Sequence, residues 1–206
     1  MSHILDQVKD YYSECLRTHG VNSKGVDWRD RSSQLRRFEV LCSLLQAEGK
    51  FTVGDLGCGY GELYRYLRER YPEVRYYGFD VSPAMISAAK SIIVADNAEF
   101  HCAGEFSRQV DYGMASGVFN VKLENSDDDW LKYILHVLDG INEKSALGFA
   151  VNFLSTYSDS DKRKSKLFYA NPLRMFDCFR RRYSRNLSLM HDYGLYEFSI
   201  VVRKNK

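Results

Sequence analysis

The chain has 206 residues, 45% of them hydrophobic and 27% charged, which is ordinary for one globular domain with a full core. Its 29 Lys and Arg against 27 Asp and Glu leave a net charge of +2, so no global field directs it to nucleic acid or to a membrane surface. Five scattered cysteines (Cys15, Cys42, Cys58, Cys102 and Cys178), with no Cys-x-x-Cys pair, read as reduced, mostly buried thiols rather than a disulfide frame or zinc site. No apolar run is long enough to span a bilayer and the N-terminus lacks a basic, apolar leader, so the expected setting is cytoplasmic, with no membrane partner.

Apolar residues at helical spacing (Ile4, Leu5, Val8, Tyr11, Tyr12, Cys15, Leu16) predict a first helix over 3–19, stopped by His19-Gly20. A second is predicted over 31–48, with Leu35, Phe38, Leu41, Leu44 and Leu45 on one face and Gly49 ending it. Alternating units follow: a strand at Phe51–Leu56, a helix over 62–70, a strand over 75–79, a helix over 84–92, then strands over 98–103 and 112–116. The gap between those last two is too short for a full crossover helix, so a loop or single turn must replace it. Asp127, Asp128 and Asp129 favour the start of a helix running to about Leu138, and 147–154 is apolar enough for a central strand. A polar loop (155–166), a helix over 172–182 and two strands meeting tightly at Asp192-Tyr193-Gly194 complete the chain.

The most informative stretch is the end of the first strand, where Asp55 precedes three alternate glycines, Gly57, Gly59 and Gly61. The spacing is not the Gly-x-Gly-x-x-Gly of a dinucleotide turn, and an acid ahead of the glycines suits a cationic amine and repels a diphosphate. At the tip of the second strand stands Asp80, placed to take two ribose hydroxyls, followed by Ser82 as N-cap and Pro83 at the first helical position. The two motifs together, the second reading Gly78, Asp80, Ser82, Pro83 and Met85, resemble those of the class I S-adenosylmethionine-dependent methyltransferases. The resemblance covers about residues 50–155.

That resemblance implies an α/β, Rossmann-like sheet of order 3-2-1-4-5-7-6 with only strand seven reversed, forming a single domain: residues 1–49 a helical lid, 50–206 the core. It implies S-adenosylmethionine as cofactor. Asp55, Leu56, Gly57, Cys58, Gly59 and Gly61 would cradle its methionyl part, and Asp80 with Val81 its ribose. Met85 either covers the adenine or simply fills a gap. After strand three, either Glu105 or the backbone around Ala103 and Gly104 would meet the adenine amino group. Ser116 and Gly117 would build the wall between cofactor and acceptor.

In-line methyl transfer needs alignment, exclusion of water and, for some acceptors, a base; no metal is called for. The five histidines show no metal spacing, and His136, inside an apolar helix, reads as a packed residue. Candidate acceptor-binding residues are Tyr11 and Tyr12 on the first helix, Arg37 (or Arg36) as a carboxylate clamp, Asn120, which could instead cap a turn, and Asn152, Tyr169 and His191. Lys122, Tyr157 and Tyr193 stand close to these. The sequence leaves any catalytic base unassigned, as it does the oligomeric state. The expected activity is methylation of an oxygen or nitrogen of a small-molecule acceptor. Basic runs at Lys162–Lys166 and Arg180–Arg185 keep an RNA or protein substrate as an alternative, and a non-catalytic cofactor-binding subunit is another.

Overall fold

A computed structural model of the protein describes residues 2–46 and 49–204. Two helices come first, α1 (Ser2–His19) and α2 (Arg31–Cys42), joined by a 3-10 turn at Ser23–Val26. Then follow β1 (Phe51–Leu56), α3 (Glu62–Arg70), β2 (Val74–Asp80), α4 (Pro83–Ile92), β3 (Ala98–Cys102) and β4 (Val110–Ala115). The remainder is α5 (Asp127–Lys144), β5 (Ser145–Leu154), α6 (Pro172–Arg182), β6 (Asn186–Met190) and β7 (Glu197–Arg203). The seven strands form one sheet of order β3-β2-β1-β4-β5-β7-β6. β1 pairs parallel with β2 and β4, β2 with β3 and β4 with β5, while β7 runs antiparallel to both β5 and β6. This is the Rossmann-like arrangement that the motifs implied.

Both faces are covered, as a largely parallel sheet requires. On one side Ile4 and Val8 of α1, Trp130, Ile134 and Leu138 of α5 and Met175 and Phe179 of α6 pack over Phe149, Val151 and Phe153. On the other, α2, α3 and α4 bring Phe38, Leu41, Leu63, Leu67, Ile86 and Ala89 against Val53, Tyr76 and Met114. The short β3–β4 connection is a loop without a helix, and the buried Phe106 fills the space a crossover helix would have covered. A Cβ at either Gly54 or Gly113 would meet that ring at 3.1 Å, so the two strand glycines make room for it. Asp111 is structural: its carboxylate accepts from the N–H and hydroxyl of Thr52 and locks β4 to β1.

Several boundaries differ from the sequence reading. α2 ends at Cys42, not at 48, because Leu44 and Leu45 lie in tight turns bonded to Leu41 and Cys42, and Leu44 stays buried there. Continued apolar spacing thus imitates a longer helix; residues 47–48 of that prediction lie outside the described residues. α5 runs six residues further than expected, to Lys144, since Ile141 remains in the core. β6 and β7 are joined by residues 191–196 instead of a tight turn. His136 is exposed, on the solvent side of α5, so it is not a packed histidine. Among the described residues no helix is long and apolar enough to cross a membrane, and no cluster of His, Cys, Asp and Glu could hold a metal.

Candidate functional site

The carboxyl ends of β1, β2 and β4 open into a cleft with an empty volume of about 870 Å3, its mouth included. Ligands of open α/β sheets bind at such strand ends. β1 contributes Asp55, Leu56, Gly57, Cys58 and Gly59, and β2 contributes Asp80 and Val81 with Met85 behind them. Gly104 lies on the lining after β3, and Ser116 and Gly117 after β4. Gly61 and Glu105 do not reach it. Gly61 caps α3 in a left-handed conformation, and Glu105 points to solvent while Ala103 and Gly104 line the cleft beside it.

Glycine is needed where the walls meet. Gly57 has φ 71° and a Cβ there would stand 2.5 Å from a methyl of Val118. At Gly117, φ 76°, a Cβ would lie 2.3 Å from the indole of Trp28. The turn is held by its own amides: the N–H groups of Gly57 and Cys58 both donate to the Phe79 carbonyl, at 2.7 and 3.1 Å. Gly59 donates to Asp80 Oδ2 at 2.9 Å, and Ser82 N–H to Asp80 Oδ1 at 2.8 Å. One acid therefore fixes both turns that frame the cleft, and each of its oxygens keeps a lone pair for a ligand hydroxyl.

The electrostatics are one-sided. Asp55, Asp80 and Glu62 line the cleft, and among the described residues no Lys, Arg or His does; Glu62 is already paired with Arg31 and Arg65 outside it, at 3.3 and 3.6 Å, so Asp55 and Asp80 set the sign. Burial pushes the Asp55 carboxyl up to about 7, against the opposing hydrogen bond from the Tyr76 hydroxyl at 2.5 Å. Asp80 is likewise raised by burial, with its two backbone donors pulling the other way. Such a site gains from a positive group. Two residues of the lining also hold a buried polar atom without a hydrogen-bond partner among the described residues, Ser116 Oγ and Gln34 Oε1.

The N-terminal segment supplies the remaining walls. Val8 and Tyr12 of α1, Val26 and Trp28 of the connection, and Gln34 and Phe38 of α2 all line the cleft. Ser13 on α1 is hydrogen-bonded to Ser82 at 2.8 Å, which ties the helix to the β2–α4 turn. Of this group only Tyr12 is among the acceptor-binding candidates of the sequence. Trp28 sits in a segment with no periodicity, and Gln34 reads as a surface residue of a helix, so neither carries a signal. Tyr133 on α5 and Tyr60 and Glu62 beside the glycine turn also escape sequence reasoning.

The other acceptor candidates lie off this cleft. Tyr11 donates to Asp27 at 2.8 Å and accepts from Lys166 at 3.3 Å. Arg37 clamps a carboxylate in bidentate fashion as expected of it, but the carboxylate is the chain's own Glu197. Asn120 accepts the N–H of Leu154, and Lys122 pairs with Asp127, so both serve the loops they stand in. Asn152 bridges Glu197 and the Gly117 N–H. Tyr169 accepts from the Lys164 N–H, and His191 meets Tyr157 edge-on.

A strand order with one reversed strand, and an acid-before-glycine turn opening on a cation-seeking cleft, define a methyltransferase-type nucleoside site. The comparisons agree. A family model described as a methyltransferase domain matches residues 53–139. A Mycobacterium tuberculosis protein that bears a methyltransferase name is 46% identical over 162 residues, spanning 78% of this chain and 98% of its own. Magnesium protoporphyrin IX methyltransferase from Synechocystis PCC 6803, solved with S-adenosylmethionine, has the same fold at a TM-score of 0.61 and 13% identity, over 96% of both chains. Trans-aconitate 2-methyltransferase of Mycobacterium marinum is 46% identical over only 55 residues, 27% of this chain and 21% of its own. The chain belongs to the class I S-adenosylmethionine-dependent methyltransferases. It is therefore an enzyme of methyl transfer whose cofactor is S-adenosylmethionine, and an acidic, amine-seeking cleft with unpartnered polar atoms fits that group.

Proposed function

We propose that this enzyme methylates an oxygen or nitrogen of a small molecule held at the mouth of the cleft, under a lid made by residues 1–49. The observation that carries the reading is how the mouth is walled. Tyr12, Trp28, Phe38, Val118 and Tyr133 make it narrow and mostly apolar, and α1 is tied on both sides, to Ser82 and, through Tyr11, to Lys166 of the 155–169 loop. A macromolecule would have to displace those ties. The basic runs favour it little, because several of their charges are used at home: Arg163 donates to the Ser158 carbonyl, Lys162 pairs with Asp161, and Arg182 with Asp139.

S-adenosylmethionine supplies an electrophilic methyl group on a sulfonium. The chain's part is positioning. In the orientation proposed here Asp55 and the glycine turn receive the amino-acid end, Asp80 the ribose, and the backbone at Ala103 and Gly104 the adenine edge. Gly117 and Trp28 set the wall on the acceptor's side, and the apolar lining excludes water. Among the described residues no His lines the cleft, and burial raises the Tyr12 and Tyr133 phenols, which therefore stay protonated, so a proton leaving the acceptor would pass to bulk solvent. Incubation with radiolabelled cofactor and, separately, metabolite extract, tRNA and protein extract tests the reading. Label is expected in the low-mass fraction; label confined to RNA or protein refutes it.

A further inference from the structure

The wall of the cleft at Gly117 is held from behind by a single amide. Side chains alternate along β5, so Asn152 stands on the same face as Ala150, the one covered by α2, α3 and α4. Asn152 is fully buried and is not part of the cleft lining. Its Oδ1 accepts the Gly117 N–H at 2.7 Å, and its Nδ2 donates to Glu197 Oε2 at 2.6 Å. Glu197 opens β7 opposite Leu154, diagonally across the ladder from Asn152.

The direction of that amide follows from its partners. A backbone N–H can only donate and a carboxylate can only accept, so the oxygen must face Gly117 and the nitrogen Glu197. Arg37 grips the carboxylate from its other side with two hydrogen bonds, and the Trp28 ring lies 4.0 Å from that guanidinium. The same indole is what a Cβ at Gly117 would strike, at 2.3 Å. The contacts thus close a ring: Gly117, Asn152, Glu197, Arg37, Trp28 and back to Gly117. Gly117 and Trp28 line the cleft, and the three residues that set their places do not. A glycine at φ 76° has little backbone restraint of its own, so the turn depends on this tie.

We propose that Asn152 is a positioning residue for cofactor binding: it holds the Gly117 amide and so fixes the wall against which the cofactor seats. Glu197 and Arg37 in turn fix Asn152. The inference rests on Gly117 belonging to that wall, as read under the proposed function. It goes beyond that reading by making cofactor affinity depend on a side chain outside the cleft.

Calorimetry with S-adenosylhomocysteine on the full chain tests it without an acceptor. Asn152→Leu, which offers Gly117 no acceptor, is expected to weaken binding roughly five- to tenfold, the weight of one hydrogen bond. Asn152→Asp keeps an oxygen for Gly117, and the two neighbouring carboxylates share one proton, which restores the hydrogen bond to Glu197. It is therefore expected to bind more tightly than Asn152→Leu. Asp111→Ala breaks the lock between β4 and β1 at the far end of the strand that leads to Gly117; it should lower stability and leave affinity unchanged. If Gly117→Ala itself leaves affinity unchanged, the wall reading fails. If Gly117→Ala weakens binding but Asn152→Leu and Asn152→Asp bind alike, or Asp111→Ala costs as much affinity as Asn152→Leu, the assignment of Asn152 is overturned and the wall stands. Hydrogen exchange on the unaltered protein needs no variant to fold: the Gly117 amide, although outside any strand, should exchange as slowly as the core of β4. Exchange at the rate of an exposed loop would also overturn the assignment.

Discussion

Replacing Arg37 by methionine should be among the most destabilising single changes in this protein, although Arg37 does not itself line the cleft. Its guanidinium and the Glu197 carboxylate belong to residues only 7% and 2% exposed and are joined by two hydrogen bonds, Nε to Oε2 at 2.8 Å and Nη2 to Oε1. Asn152 donates to the same carboxylate at 2.6 Å and accepts the Gly117 N–H at 2.7 Å. The Trp28 ring lies under the guanidinium at 4.0 Å. The methionine side chain would cover part of the indole but would strand an ionised carboxylate in the core, and breaking a buried pair from one side costs about 3–5 kcal/mol. Adding Glu197→Leu removes the stranded charge and leaves chiefly the Asn152 amide unpaired, about 1–3 kcal/mol. The double variant should therefore be more stable than Arg37→Met alone. Urea denaturation followed by circular dichroism, with the slope held common, measures all of them. A loss below about 1 kcal/mol for Arg37→Met, the average for any mutation, or a double variant less stable than the single, would show that the pair does not carry the charge balance described.

Three further outcomes follow from the same geometry. Gly117→Ala forces a side chain into the left-handed region and against Trp28, so S-adenosylhomocysteine affinity should fall at least tenfold, with a stability loss of about 1–3 kcal/mol; unchanged affinity by calorimetry would remove Gly117 from the wall. Asp55, raised in the folded state to about 7, is protonated in both states at low pH, then ionises in the unfolded chain first, so unliganded stability should decline as pH rises from about 4 to 7, by an order of 4 kcal/mol. Asp55→Asn should flatten most of that decline in pH-dependent thermal melts, Asp80 accounting for the rest, and an identical slope in the variant would contradict the burial argument. Deleting residues 1–20 should abolish turnover and lower stability, because Ile4 and Val8 are buried against the sheet and each contributes about 1.5–3 kcal/mol; a truncated enzyme with full activity would show that α1 does not close the site.

The sheet was legible because its signals are local and redundant. A β-branched and aromatic run, an acid, a glycine turn and a capped helix repeat along 51–92, and each feature points to the same βαβ unit. The cofactor's half of the cleft was readable for the same reason: backbone shape there demands glycine, and Asp80 is required by the turn it holds as well as by any ligand. The other half is made by residues that become neighbours only on folding. Gln34 and Arg37 lie one turn apart on α2, yet one belongs to the cleft lining and the other pairs with Glu197, 160 residues away. No periodicity distinguishes them. The bidentate carboxylate clamp expected of Arg37 is correct chemistry with the wrong partner, since a sequence shows that an arginine can grip a carboxylate but not whether the fold already provides one. The same holds for Asn120 and Asn152, whose amides are spent on Leu154, Gly117 and Glu197. Of the buried polar atoms without a partner among the described residues, those of Gln34 and Ser116 belong to the cleft lining, while Arg37 Nη1, His101 Nε2 and Arg203 Nε do not. Gln34 and Ser116 are left incomplete on the cleft lining, so acceptor and cofactor specificity should be sought there first.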